Sequence, residues 1–332
     1  MYKWFLIFLF FLGSCSPDQT PEKIHGTAQG TYYSILYFDG QHRNFKPQFD
    51  SLLDAFDQSV SLWVPQSVLS KVNNNDDSVV TDQWFIGNFN LSQQVAIATD
   101  GAFDCTVEPL VDAWGFGFDA ATRVDSTIID SIMNFVGFNK IKLKGNKIVK
   151  EDPRVKLDFN GIAQGYSVDV VAKFLESKDI KNYLIDIGGE VKAHGSKPKG
   201  EPWKVGIEKP AKNKEDDRIL KAVIGLHNLS VATSGSYRKY YEKNGVRYSH
   251  TIDPKTGYPV QHSLLSVSVV AKNTGLADAY ATAFMVMGFE KARDFVEHDS
   301  TMEAFFIYYD STGYNKNYGT KGFNKLILEK FK

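Results

Sequence analysis

Residues 157–169 read Leu-Asp-Phe-Asn-Gly-Ile-Ala-Gln-Gly-Tyr-Ser-Val-Asp, and the kind of turn this stretch makes decides the fold. Gly161 and Gly165 bracket a helix start, and the spacing that follows predicts a helix over Ala163 to Ser177. A short apolar strand, Tyr183 to Ile187, comes next and is closed by Gly188-Gly189. Free amides and the helix dipole at such a start favour a phosphate, or a cation held by a carbonyl, although an ordinary N-capped helix accounts for the pattern as well. The stretch holds no GxGxxG and no GK[ST] follows it, so neither a dinucleotide fingerprint nor a Walker loop is present.

Working outward, the elements are mixed and do not alternate as βαβ units. Thr31 to Phe38 reads as a strand with Asp39-Gly40 as its turn, and Phe49 to Val60 and Phe85 to Thr99 read as helices around a polar loop, Asn73 to Asp77. Val136 to Val149 reads as a hairpin turning at Lys144-Gly145-Asn146. Trp203 to Glu208 and Leu264 to Ala271 read as strands, and Ala277 to Val286 as a helix. Lys209 to Lys221 is charged and reads as a solvated loop. This order predicts an α+β fold of mixed sheet and helices, not a doubly wound one.

A chain of 332 residues, 43% hydrophobic and 14% aromatic, can bury a large core. The net charge of −1, from 38 basic and 39 acidic side chains, supplies no global pull toward nucleic acid, so any bound anion must be held locally. At the N-terminus, Lys3 precedes an apolar run from Trp4 to Leu12 that ends in Leu-Gly-Ser-Cys at 12–15. The run is too short for a membrane span and reads as an export signal, 1–15. Its ending resembles a bacterial lipobox with Cys15 as the lipidated residue, and the polar residues 16–25 read as a tether to a single large unit, 26–332. A plain secretory signal is the simpler alternative. Cys105 is then the one remaining thiol, which excludes an intramolecular disulfide and reads as a small buried hydrophobe.

Three further stretches combine glycine with oxygen-bearing side chains. Gly101 to Gly117 (GAFDCTVEPLVDAWGFG) places Asp104 and Thr106 before a proline turn, with Trp114 and Phe116 either walling a flat ligand or filling core. Ser230 to Val260 crowds Thr233, Ser234 and Ser236 around Gly235 and sets His250 before a Thr-Ile-Asp-Pro turn, a place where a titratable base can reach a substrate. Gly275 to Gly288 (GLADAYATAFMVMG) carries Asp278 and Thr282 four apart, so on a helix they project from one face and can offer two oxygens to one hard cation. A helix cap and a core-facing threonine are the alternative reading of that pair.

Taken together and in this order, the four segments resemble the ApbE family, the FAD:protein FMN transferases, from about Gly26 to near Gly288. The resemblance implies an ApbE-like, T-fold-like architecture with a flavin site where sheet meets helices, and one or more Mg²⁺ at the pyrophosphate. It implies Asp278 and Thr282 as side-chain metal ligands and Gly161 as a backbone carbonyl ligand. Gln29, Ala102, Phe103, Asp104, Asp158, Gln164 and Ile252 fall where the family contacts FAD, and His250 where it keeps a general base. Gln164 stands where many relatives carry Lys or an acid, and Ala281 where some carry a second acid.

The implied activity is Mg²⁺-dependent transfer of FMN from FAD to a Thr or Ser hydroxyl of an acceptor redox protein, with release of AMP. The setting implied is an exported lipoprotein, membrane-anchored and facing the periplasm. Water in place of the acceptor would make it an FAD pyrophosphatase, and loss of turnover a flavin-binding lipoprotein. A sugar- or polymer-binding surface protein would explain the aromatic richness but not the clustered Asp and Thr.

Overall fold

The computed structural model describes residues 20–117, 125–210, 219–236, 240–243, 246–249 and 251–331. Strands β1 (Glu22–Ala28) and β2 (Thr31–Tyr37) come first. Helices α1 (Lys46–Val60), α2 (Val68–Asn73), α3 (Gln83–Ala98), α4 (Glu108–Ala113) and α5 (Ser126–Met133) follow, then a hairpin of β3 (Ile141–Lys144) and β4 (Lys147–Lys150). After α6 (Ala163–Ser177) run β5 (Tyr183–Ile187), β6 (Glu190–His194), β7 (Trp203–Glu208), β8 (Leu220–Leu226) and β9 (Leu229–Gly235). A second hairpin, β10 (Tyr240–Lys243) with β11 (Val246–Ser249), leads to β12 (Leu264–Ala271), α7 (Thr274–Met287) and α8 (Phe289–Glu297). The described chain closes with β13 (Glu303–Tyr309), β14 (Asn315–Gly319), α9 (Lys321–Leu326) and β15 (Ile327–Lys330).

Eight strands form one sheet in the order β1-β2-β5-β6-β9-β12-β13-β14, and every neighbouring pair is antiparallel. The α+β expectation therefore holds. Alternation along the strands sends side chains to two different cores. Ala304 and Phe306 of β13 pack with α3, α7 and α8, whereas Phe305 and Ile307 face the opposite way. There they meet Trp203, Ile224 and Phe323, which belong to a three-stranded sheet, β15-β8-β7, and to α9. Helices thus cover one face and a small sheet covers the other. This double burial shows in β12, where all residues but Leu265 are buried, Ser266 and Ser268 among them.

Some boundaries differ from the sequence expectation. Strand β1 begins at Glu22 and buries Ile24, so the folded unit starts inside the stretch read as a tether at 16–25. Helix α1 begins at Lys46, where Pro47 supplies a fixed φ in the first turn. The polar loop expected from Asn73 is preceded by α2, whose Ser67 cap accepts from the Ser70 amide. Leu220 and Lys221, read as loop, open β8, because residues 222, 224 and 226 must reach the core under the large sheet. Cys105 is buried, as its sequence context suggested.

Candidate active site

Helices α6 and α7 lie against each other and cap one another. The Asp278 carboxylate on α7 accepts from the Gly165 amide in the first turn of α6 at 2.9 Å. In return, Asp169 on α6 accepts from the Gly275 amide in the first turn of α7 at 2.9 Å, and Lys192 pairs with it at 3.0 Å. Each helix start therefore finds its acceptor on the neighbour, which satisfies orphan amides and stabilises the positive dipole ends. The close approach needs glycine: a Cβ on Gly165 would lie 2.6 Å from the Thr274 carbonyl oxygen and 2.7 Å from Asp278 Cβ.

This crossing assembles oxygen donors. Thr282, one turn after Asp278, turns its hydroxyl toward the Gly161 carbonyl at 3.5 Å. A Cβ on Gly161 would sit 3.2 Å from Thr282 and 3.3 Å from Phe103, so the carbonyl-bearing turn, α7 and the 101–106 loop converge here. Asp278 does not cap its own helix, since that start is at Asn273. Its carboxyl is buried and held well above the ordinary range by loss of solvent, against the favourable Gly165 amide. Glu190, at the start of β6, is also buried and pushed strongly up, first by desolvation and then by the nearby Asp278 charge. Two buried carboxyls near each other make an arrangement that a hard cation would relieve. Among the described residues no group of three or more His, Cys, Asp or Glu could hold a metal, so this set depends on a hydroxyl and a carbonyl beside its acid.

Of the other predicted residues, Gln164 and Gln29 make contacts at the start of α6, while Asp104, Asp158 and Ile252 are held within their own turns and loops. Gln164 donates to the Ile187 carbonyl at 3.0 Å and to the Glu190 carboxylate. Gln29, at the tip of the β1–β2 turn with φ of 54°, accepts from Ser167 Oγ at 3.2 Å and hydrogen-bonds Asp57. Ala102 and Phe103 are both buried, and Phe103 packs beside Gly161. Asp104 braces its own loop: Oδ1 accepts from the Thr106 amide at 2.8 Å and its hydroxyl at 2.7 Å, and Oδ2 from the Phe138 amide at 2.7 Å. Asp158 turns its chain by accepting from the Asn160 amide at 2.6 Å, and its own amide binds the Cys105 carbonyl.

Ile252 bridges to Pro259 and packs with Leu110, Trp114 and Ile129. Trp114 is core and a tie, its Nε1 donating to the Gly257 carbonyl at 2.8 Å, which pins the turn that follows the candidate base. His250 itself lies outside the described residues, as does Cys15.

Glu190, Asp57 and Asn73 were not anticipated. Asn73 pairs with both the amide and the carbonyl of Leu157 at 2.8 Å, clamping the glycine-rich turn as a strand would. The available signal for Glu190 was an acid directly after Gly188-Gly189 at the end of an apolar strand.

The ApbE family model matches residues 29–306. A Haemophilus influenzae protein named FAD:protein FMN transferase is 34% identical over 334 residues, covering 96% of this chain and 95% of that one. A Vibrio cholerae protein of the same name is 36% identical and covers 88% of this chain and 89% of its own. The crystal structure of the Pseudomonas stutzeri flavinyl transferase ApbE, in its apo form, superposes with a TM-score of 0.83 at 31% identity, over 94% of this chain and 98% of that one. On fold and sequence together, the chain belongs to the ApbE family.

Proposed function

We propose that this chain is an FAD:protein FMN transferase that moves FMN from FAD to a Thr or Ser hydroxyl of an acceptor protein and releases AMP. The observation that carries the reading is the meeting of Thr282 hydroxyl and Gly161 carbonyl beside the buried Asp278. All three donors are hard oxygens, the set that suits Mg²⁺, and the buried acids beside them favour a cation. Bound there, the metal would neutralise charge on the pyrophosphate.

The remaining chemistry belongs to the chain. Gln29, Ala102, Phe103, Asp104, Asp158, Gln164 and Ile252 are the proposed contacts to FAD, held by the braces described above. The acceptor hydroxyl attacks the FMN-side phosphorus, a new P–O bond forms, and the bond to the AMP phosphate breaks. His250 is the proposed base that takes the hydroxyl proton, a contribution of roughly 10²- to 10⁴-fold. The acceptor is a redox protein that carries the Thr or Ser in an accessible segment.

The export signal and Cys15 support a lipoprotein anchored in the membrane and facing the periplasm. No helix among the described residues is long and apolar enough to cross a membrane.

The test is intact-mass analysis of an acceptor after incubation with FAD, Mg²⁺ and the chain lacking residues 1–15. A mass gain of FMN less water, lost with EDTA, supports the reading. FMN and AMP without an adduct would replace it by a pyrophosphatase, and unchanged FAD by a flavin-binding protein.

A further inference from the structure

Both hydrogens of the Gln164 amide are spent inside the protein, and their count decides what the residue can offer a ligand. One goes to the Ile187 carbonyl at 3.0 Å and the other to the Glu190 carboxylate. A primary amide nitrogen has two hydrogens and the amide oxygen has none, so only Oε1 remains for a partner outside the protein. The reversed amide would set oxygen against the Ile187 carbonyl with no hydrogen between them, and the network therefore fixes which end is nitrogen.

The backbone is shaped for this arrangement. Gly188 has φ of 62°, and a Cβ there would run into the Gln164 amide and lie 2.7 Å from Thr31 Cγ2. Glu190 is buried, with the Asp278 carboxyl near it, so it joins the Gln164 amide to the oxygen cluster at the helix crossing.

We propose that Glu190 is a positioning residue that acts through Gln164, leaving it as a pure hydrogen-bond acceptor toward FAD. This deepens the proposed function and rests on Gln164 contacting FAD. An amide oxygen repels phosphate oxygens, so Gln164 takes a ribityl or ribose hydroxyl, or a ring N–H, and not the pyrophosphate.

The experiment is a double-mutant cycle on FAD affinity, read by flavin fluorescence at fixed Mg²⁺ with Q164A, E190L and both together. Each single variant is expected to weaken binding roughly tenfold, as for a lost buried hydrogen bond, and the double variant no more than either. E190Q keeps an acceptor oxygen at 190 and is expected to bind within about threefold of the parent. Its milder change also keeps the test alive if E190L fails to fold. Inorganic pyrophosphate, measured by competition, is expected to bind Q164A as it binds the parent.

Additive losses in the cycle would overturn the action through Gln164, and so would E190Q as weak as E190L. Equal loss of pyrophosphate affinity in Q164A would overturn the acceptor polarity. Parent-like FAD binding by Q164A would remove Gln164 from the flavin site while an FMN adduct in the mass assay left the transferase reading standing.

Discussion

Single side chains in this protein are set by what surrounds them more than by their type. Glu108, on α4, is buried, and one of its carboxylate oxygens lies 3.3 Å from Lys156 Nζ. Burial, reinforced by Asp112, pushes its carboxyl up to about 7 against the opposing pull of Lys156. The raised value means the fold disfavours the ionised form. Its stabilising contribution is complete below the ordinary value of 4.5 and is lost as pH rises through about 7. Glu108→Gln, which cannot ionise, is expected to melt increasingly above the parent between pH 5 and 8, and a pH-independent difference in Tm would contradict this. His250→Gly is expected to keep FAD affinity within about threefold and to cut FMN transfer by at least 10²-fold, since only the base is removed. Equal transfer rates in stopped time courses would exclude His250 as the base.

At the scale of elements, the α6–α7 crossing does two jobs with one set of contacts. Reciprocal capping by Asp278 and Asp169 holds the helix starts together, and the same approach brings Gly161 beside Thr282. Gly165→Ala adds a methyl 2.6 Å from a backbone oxygen, which the helices can accommodate only by separating. Overpacking of this kind costs about 1–3 kcal/mol, so a lower denaturant midpoint is expected together with loss of FMN transfer. A variant that lost stability but kept full transfer would show that the crossing is not needed for the chemistry. Neighbouring turns follow the same logic: the Gly188-Gly189 turn makes room for the Gln164 amide, and Asn73 clamps Leu157 from α2.

For the whole molecule, burial of the large sheet on both faces is the dominant device. Trp203, 1% exposed, fills the layer between the small sheet and the large one, with its indole N–H on the His194 carbonyl at 3.1 Å. Trp203→Ala is expected to cost about 3–5 kcal/mol and to lower the urea midpoint, and a change below 1 kcal/mol would mean the small sheet adds little to the global fold. Much of this architecture was readable from local pattern. Ala163 to Ser177, Tyr183 to Ile187, Trp203 to Glu208 and Leu264 to Ala271 have the bounds their periodicity and turn residues predict. The Asp278 and Thr282 pair was readable too, because helical spacing places both on one side by geometry alone. Short elements such as α2, six residues long, carry too few repeats to show a period. By itself, then, the sequence determined the class of fold and the main helices and strands, since these follow from periods of 3.6 and 2 and from turn chemistry. Only the tertiary structure decided that Gly165 meets Asp278 across 113 residues and that Glu190 holds Gln164. It also decided that Asp104 braces Phe138, because such pairings depend on strand order and helix crossing, which no local period encodes.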